Sequence, residues 1–523
     1  MTITGEAIIG GIHERGAAGS FKAWDPTRRE HLEPSFHMVD ASQIDRACTL
    51  AGEAFDSFRA ASDETRARFL DTVAEQILAL GDELIERAMA ESGLPRARLE
   101  GERGRTVGQL RMFAELLREG SWRDARLDTP LPERAPPRPD LRHQLVGVGP
   151  VAVFAASNFP LAFSVAGGDT ASAFAAGCPV VLKAHSAHPG TSELVARAVV
   201  RAVQLCGLPA GVFALLTGTG NGIGQALVAH PAIQAVGFTG SRSGGTALMA
   251  VAAARKQPIP VYAEMSSINP LFIMPQALAS RAAEIGRGFA ASLTLGVGQF
   301  CTNPGLVLAV DGPGLEEFCA AAAGALADTQ PAVMLTQGIA DSYRKGVAAL
   351  HGHEAVTTLA SVEHEEGKGA AALFRTSAEH FLARHELHDE VFGPASVLVV
   401  CKDVGQMREV AELLEGQLTA TLQIDEGDHA AAAALLPVLE RKVGRILANG
   451  FPTGVEVSTA MVHGGPFPAT ADGRSTSVGT GAIARFLRPV CYQNLPQALL
   501  PEALRDGNSR GIWRRKDGAL TKE

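Results

Sequence analysis

Over residues 150–264, short apolar runs recur near 150–156, 179–183, 212–216, 233–238 and 259–264, separated by alanine-rich stretches of helical length. Runs that are apolar on both faces suit strands covered above and below, as in a parallel sheet between helices. This pattern predicts a doubly wound α/β domain, a fold that takes its ligands outside the carboxyl ends of the strands. The residues with distinctive chemistry cluster at those ends. At 523 residues the chain also exceeds the ~250–300 at which one hydrophobic core stops growing, so further domains are expected.

Around this unit the reading is coarser. The region up to about Gly120 reads as mostly helical. Phe69, Leu70, Val73, Ile77 and Leu80 share one helical face that Gly81 terminates, and a second helix runs from an Asp82 cap to Gly93. Core packing is a sufficient account of these helices. Residues 123–143 carry Pro130, Pro132, Pro136, Pro137 and Pro139 among many charges, which excludes a sheet interior and predicts a linker or an arm reaching another subunit. Residues 265–460 form a second α/β region. The tail from about Leu487 is expected on a subunit surface.

Several function classes fall away. A net charge of −9 offers no chain-wide attraction for nucleic acid or anionic membrane. Seven scattered cysteines without a CxxC pair make a poor disulfide framework and a poor zinc site, so no metal is expected and a reducing cytoplasm is. The N-terminus lacks the pattern of a secretory signal. Residues 145–168 contain no charge, but Gly147, Gly149, Pro150, Asn158 and Pro160 favour a strand, a turn and a helix start over a membrane span.

The strand ends and turns carry the chemistry. Gly298-Gln299-Phe300-Cys301 sets a cysteine in a Gly-rich turn, with polar Gln299 and Asn303 favouring accessibility; an inert buried cysteine is an equal alternative. Glu264 ends an apolar run, either as a surface helix cap or as a general base whose pKa desolvation raises. Asn158-Phe159-Pro160 opens a helix, with Asn158 as its cap or as an oxyanion donor. Lys183 ends a strand as a point charge for ribose or phosphate, or as a cation reaching solvent. Thr217-Gly218-Thr219-Gly220-Asn221-Gly222-Ile223-Gly224 misses the dinucleotide fingerprint and reads as a tight turn. Phe238-Thr239-Gly240-Ser241 fits better, as a strand and glycine before a helix N-terminus suited to pyrophosphate.

Together with Leu182-Lys183 and Glu390-Val391-Phe392-Gly393-Pro394, these segments in this order resemble the aldehyde dehydrogenase superfamily over nearly the whole chain. The resemblance implies an NAD(P)-dependent enzyme with Cys301 as nucleophile, Glu264 as deacylating base and Asn158 sharing the oxyanion with the Cys301 backbone N–H. It implies a cofactor site of Lys183, His185, Ser186, Gly240, Ser241, Glu390 and Phe392, and a substrate pocket containing Phe159, Phe163 and Phe300. It also implies a cofactor-binding domain of residues 1–122 and 146–264, a catalytic domain of 265–460, and residues 461–486 returning to the cofactor domain. Residues 123–145 and 487–523 would form an oligomerisation arm of a homodimer or homotetramer.

Three departures from the family pattern are informative. Ser186 stands where many members have a carboxylate that repels a 2′-phosphate, which favours NADP over NAD, with His185, His188 and Arg242 nearby. Ser157 replaces a common Trp. Val462-His463-Gly464-Gly465-Pro466-Phe467-Pro468 replaces the usual C-terminal signature. With the stretch after Asn158 and with Lys183-Ala184-His185, these point to the 2,5-dioxovalerate (α-ketoglutaric semialdehyde) dehydrogenase branch. Its substrate carboxylate wants a cation in the tunnel, for which Arg474 is the candidate. An NADP-using fatty or other aliphatic aldehyde dehydrogenase is the alternative. An idle scaffold on the same fold is a third reading, and a CoA-acylating enzyme a fourth; the acid-base set disfavours the scaffold and Glu264 the CoA-acylating enzyme.

Overall fold

The computed structural model describes residues 2–523. The five apolar runs form Val151–Phe154, Val180–Lys183, Phe213–Leu216, Ala235–Thr239 and Val261–Glu264, all paired in parallel. In spatial order the last strand lies at one edge, followed by Ala235–Thr239, Val151–Phe154, Val180–Lys183 and Phe213–Leu216. The order therefore reverses between Val151–Phe154 and Ala235–Thr239. A crevice opens at such a switch point because the connections leave in opposite directions.

The N-terminal region is not wholly helical. Ala7–Ile9 and Ile12–Glu14 extend this sheet antiparallel beyond Phe213–Leu216, and Ser20–Asp25 pairs with Glu30–His37 as a separate hairpin. Ala7, Ile8 and Ile9 are buried on both faces, so they lack the alternation that marks a strand in sequence. The helix Asp63–Ala79 buries Phe69, Leu70, Val73 and Ile77 as expected. Its successor, Gly81–Ser92, begins after Leu80 with no side-chain cap. Asp82 lies inside the first turn, where its charge still complements the helix dipole. Gly93 ends that helix at φ 67°.

A second seven-stranded sheet contains Leu271–Ile273, Leu306–Val310, Ala395–Cys401 and Gln417–Gln423 near its centre. A third, of five strands, joins Arg126–Asp128 and Leu141–Gly147 to Leu487–Gln493, Arg514–Lys516 and Ala519–Thr521. The prolines at 130–139 sit in the connection between its first two strands, and Pro489 lies on an edge strand, where its missing donor faces no partner. Residues 461–486 return to the first sheet. The Met265 N–H donates to the Ala469 carbonyl and the Ala471 N–H to that of Ala263, each at 2.8 Å, while Arg485 pairs with buried Asp169 at 2.7 Å. Among the described residues, no helix is long and apolar enough to cross a membrane.

Candidate active site

Two cavities meet at Cys301. One, of about 520 Å³, opens at the switch point and is lined by Asn158, His185, Gly240, Ser241, Glu390 and Phe392, with Glu264 at its inner end. The other, of about 470 Å³, is lined by Phe159, Phe163, Phe300, Arg98, Arg105 and His463. Cys301 is common to both linings. A group entering from either side therefore reaches the same sulfur.

The backbone is bent sharply to present that sulfur. Gly296, Val297 and Gly298 have φ of 56°, 60° and 63°. Val297 is β-branched, and such a left-handed residue stores on the order of 1–3 kcal/mol of strain. Gly298 is required on two counts, because a Cβ there would also lie 2.3 Å from the Gly393 carbonyl carbon. Buried Asn269 fixes the far side of the turn, donating its amide to the carbonyls of Cys301 and Asn303, each at 2.9 Å. Gln299 and Asn303 do not serve accessibility. Both are buried, Gln299 accepting from the Leu335 N–H at 3.0 Å and Asn303 donating to the Gly393 carbonyl at 3.0 Å. They tie the cysteine turn to its neighbours.

Asn158 opens no helix. Residues 155–167 are extended and turned, and the helix Gly168–Ala175 starts ten residues after Asn158. The reason lies in Glu102, whose Oε1 accepts the N–H groups of Leu161 and Ala162 at 2.8 and 2.9 Å and holds the segment as a turn. The Asn158 amide donates to the Gln299 carbonyl at 3.0 Å, which orients the side chain beside the cysteine turn.

Glu264 ends its strand buried, with His463, Ser477 and the Cys301 thiol all acting on its carboxylate. His463 Nε2 donates to Oε1 at 2.8 Å and Ser477 Oγ to Oε2 at 2.9 Å. Burial pushes its pKa up, but His463, Cys301 and Ser477 together outweigh it, and the carboxyl is held below its ordinary value. The expectation of a desolvation-raised base is thus corrected: a carboxylate given enough donors stays ionised even when buried. Cys301 Sγ lies 3.5 Å from His463 Nε2. Burial, and then the adjacent Glu264 charge, push its thiol well above its usual range, while Arg105 opposes them. The resting thiol is protonated, next to a carboxylate able to take the proton.

On the cofactor side, Ser241 caps the helix Arg242–Ala253, accepting from the Gly244 N–H, so the unpaired N–H groups of that turn face the cleft. Lys183 ends its strand with its pKa lowered to about 8 by burial, and makes no ion pair among the described residues. Neither Lys183 nor Ser186 is among the residues lining the cleft, whereas His185 is, with burial holding it neutral. Glu390 is pushed up to about 7 by burial against hydrogen bonds from Ser266 and Ser267. These features suit a dinucleotide: N–H donors for a pyrophosphate, and a carboxylate for ribose hydroxyls.

Three sequence expectations are displaced. His188 is fully buried, with its ring nitrogens on the Ala156 carbonyl and Ser192, so it packs rather than binds. Arg242 is bidentate to Glu415 at 2.7 and 3.1 Å. Arg474 has a side chain 92% exposed and paired with Asp472, outside the tunnel. The cations actually in the tunnel, Arg98 and Arg105, lie with Glu102 at i, i+7 and i+4 of the helix Arg96–Glu119. That charged stripe was visible in the sequence, but a charged helical face is ordinarily a solvated one. Sequence reasoning also missed His463 as a partner of Glu264, since the two are 199 positions apart.

The family model described as the aldehyde dehydrogenase family matches residues 14–466. The chain is 59% identical to alpha-ketoglutaric semialdehyde dehydrogenase 2 of Azospirillum brasilense and 48% identical to alpha-ketoglutaric semialdehyde dehydrogenase of Acinetobacter baylyi, in each case over 99% of both chains. Among solved structures it resembles an aldehyde dehydrogenase from Pseudomonas syringae complexed with NAD+ and octanal, with a TM-score of 0.80 and 20% identity over 93% of this chain and 96% of that one. The chain belongs to the aldehyde dehydrogenase family and is an NAD(P)-dependent enzyme.

Proposed function

We propose that this enzyme oxidises 2,5-dioxovalerate (α-ketoglutaric semialdehyde) to 2-oxoglutarate, using NADP in preference to NAD. The observation that carries the reaction is the meeting of the two cavities at Cys301, beside Glu264 and Asn158. The substrate reading is supported by the two full-length relatives of that name. A C5 aldehyde with a terminal carboxylate also suits a tunnel that holds cations, whereas a fatty chain would leave them unpaired in apolar surroundings.

The chain's residues divide the work as follows. The Cys301 thiol passes its proton to the Glu264–His463 couple as sulfur adds to the aldehyde carbon, forming a thiohemiacetal. The second N–H of the Asn158 amide and the Cys301 backbone N–H stabilise the oxyanion; losing one such donor costs roughly 3–4 kcal/mol of transition-state stabilisation. A bound nicotinamide dinucleotide supplies the acceptor for the hydride that leaves the aldehyde carbon. Once the couple has released the thiol's proton to solvent, Glu264 takes a proton from the water that hydrolyses the resulting thioester. Acylation removes the S–H that donates to Glu264, one of the influences lowering its pKa, so the base strengthens when it is needed.

Gly240 and Ser241 would hold the pyrophosphate, Lys183 and His185 the adenosine ribose region, and Glu390 and Phe392 the nicotinamide ribose and ring. The preference for NADP rests on Ser186 in place of a carboxylate and on the unpaired Lys183 ammonium, since Arg242 is engaged by Glu415. The test is an aldehyde panel run with both dinucleotides. The highest kcat/KM is expected for 2,5-dioxovalerate with NADP, and a better medium-chain alkanal would overturn the substrate reading.

The five-stranded sheet formed by residues from 126–147 and 487–521 carries exposed Leu520, and its connections carry exposed Leu131, Leu499 and Trp513. With an open edge strand beside them, they support assembly as a homodimer or homotetramer. Sedimentation equilibrium should return a multiple of 54.6 kDa. A mass equal to one chain at micromolar concentration contradicts it.

A further inference from the structure

The tunnel side of the site contains a cationic feature that the catalytic chemistry does not require. Arg98, Glu102 and Arg105 project from successive turns of the helix Arg96–Glu119 into the cavity that ends at Cys301. Their surroundings are aromatic. The Arg98 guanidinium lies 4.4 Å from the Phe159 ring centre and 4.8 Å from that of Phe300, and Arg105 lies 5.4 Å from Phe163 and 5.9 Å from Phe159. Rings on the flanks leave the guanidinium edges as the polar surface of the tunnel.

The hydrogen bonds of this group are incomplete. Glu102 gives one oxygen to the Leu161 and Ala162 N–H groups, and its other oxygen lies 3.4 Å from Arg98. Arg105 Nε and Nη2 and Arg98 Nε are buried and have no hydrogen-bond partner among the described residues. Burial lowers the Arg105 pKa, and the neighbouring Cys301 and Glu102 only partly offset it. Glu102 is the carboxylate that shares the tunnel lining with the two arginines, and Glu264 acts on Arg105 without a hydrogen bond to either arginine. Buried guanidinium nitrogens without partners are costly, and they persist where an anion completes them. Arg445, another half-buried arginine close to Cys301, is no rival: its terminal nitrogens are taken by the Gly454 and Pro452 carbonyls, and it does not line the cavity.

We propose that Arg105, assisted by Arg98, is the specificity-determining clamp for the substrate's terminal carboxylate, with Glu102 holding Arg98. This rests on the 2,5-dioxovalerate reading and extends it to any short aldehyde ending in a carboxylate. A guanidinium edge offers two parallel N–H donors matched to a carboxylate, which a lysine cannot reproduce. Monocarboxylate aldehydes are therefore selected, and neutral alkanals of the same length leave the clamp unsatisfied.

The experiment compares kcat/KM for 2,5-dioxovalerate and for pentanal in the wild type, Arg105→Met, Arg105→Lys and Arg98→Met. Arg105→Met should lower the ratio of the two values by about 10²-fold or more, chiefly through KM for the charged aldehyde, because losing the pull of Arg105 on the Cys301 thiol slows both aldehydes alike and cancels in the ratio. Arg105→Lys should retain part of the preference, and Arg98→Met should lose less than Arg105→Met. Equal losses for both aldehydes would mean that Arg105 serves the thiol or the fold, and an unchanged ratio would mean that it does not meet the carboxylate; either overturns the proposal. Glutarate, as an inhibitor of pentanal oxidation, gives a readout independent of turnover of a charged substrate. It should compete with pentanal in the wild type and lose affinity in Arg105→Lys. If the wild type prefers succinic semialdehyde to 2,5-dioxovalerate and Arg105→Met abolishes that preference, the clamp stands while the substrate reading fails.

Discussion

Cys301→Ala is expected to reduce NADPH formation by at least about 10⁴-fold while leaving dinucleotide binding, read by fluorescence titration, unchanged. The size follows from the covalent route: without sulfur there is neither a thiohemiacetal to release hydride nor a thioester to hydrolyse. No other thiol can substitute, because Cys48, Cys178, Cys319 and Cys401 are buried elsewhere, and neither Cys206 nor exposed Cys491 lines either cavity. Asn158→Ala is the informative comparison. It removes an oxyanion donor but leaves the nucleophile, so kcat should fall by a smaller factor, roughly 10²–10³. Substantial activity in Cys301→Ala would remove the covalent mechanism altogether. Unchanged activity in Asn158→Ala would remove only its oxyanion role, leaving that residue as a brace for the Gln299 carbonyl.

The features that could be read from sequence are those whose physics is local. The five strands at residues 151–264 announce themselves because each is a short apolar run closed by a turn, whereas the glycines before Cys301 left it an even choice between nucleophile and inert cysteine until the family resemblance decided it. What escaped depends on distant partners. Asn158-Phe159-Pro160 has the local chemistry of a helix start, yet a carboxylate on another helix, Glu102, captures the N–H groups that follow and keeps the chain turned. Ala7–Ile9 shows no alternation because both of its faces are covered. The direction of the Glu264 shift could not be read from its own strand, since the donors that reverse it arrive with residues 463 and 477. Arg98 and Arg105 went unremarked in the sequence, and only the tertiary fold turns their helical face toward Cys301.

Glu264→Gln should separate the two halves of the reaction. Glutamine keeps the shape of the side chain and can still engage His463 and Ser477, but it cannot take up a proton. If the base acts mainly on water, the first turnover proceeds and the thioester accumulates. Rapid mixing should then show a burst of NADPH stoichiometric with active sites, followed by a steady state slowed roughly 10²–10⁴-fold, the usual range for losing a general base. Added CoA should not restore turnover, which distinguishes a hydrolytic enzyme from an acyl-transferring one. Absence of a burst, with both phases slowed alike, would instead make proton removal from Cys301 the main duty of Glu264, consistent with a thiol held well above its usual pKa. The pH dependence supplies a second check. Because the folded-state pKa of Glu264 is lowered, the carboxylate stays ionised in the free enzyme through the neutral range and gains a proton only as pH falls below the ordinary carboxylate range. The acid limb of kcat/KM near neutrality, which reports the free enzyme, should therefore be the same in wild type and Glu264→Gln. An acid limb near neutrality that vanishes in the variant would mean that Glu264 titrates there, and that burial, rather than its donors, sets its proton affinity.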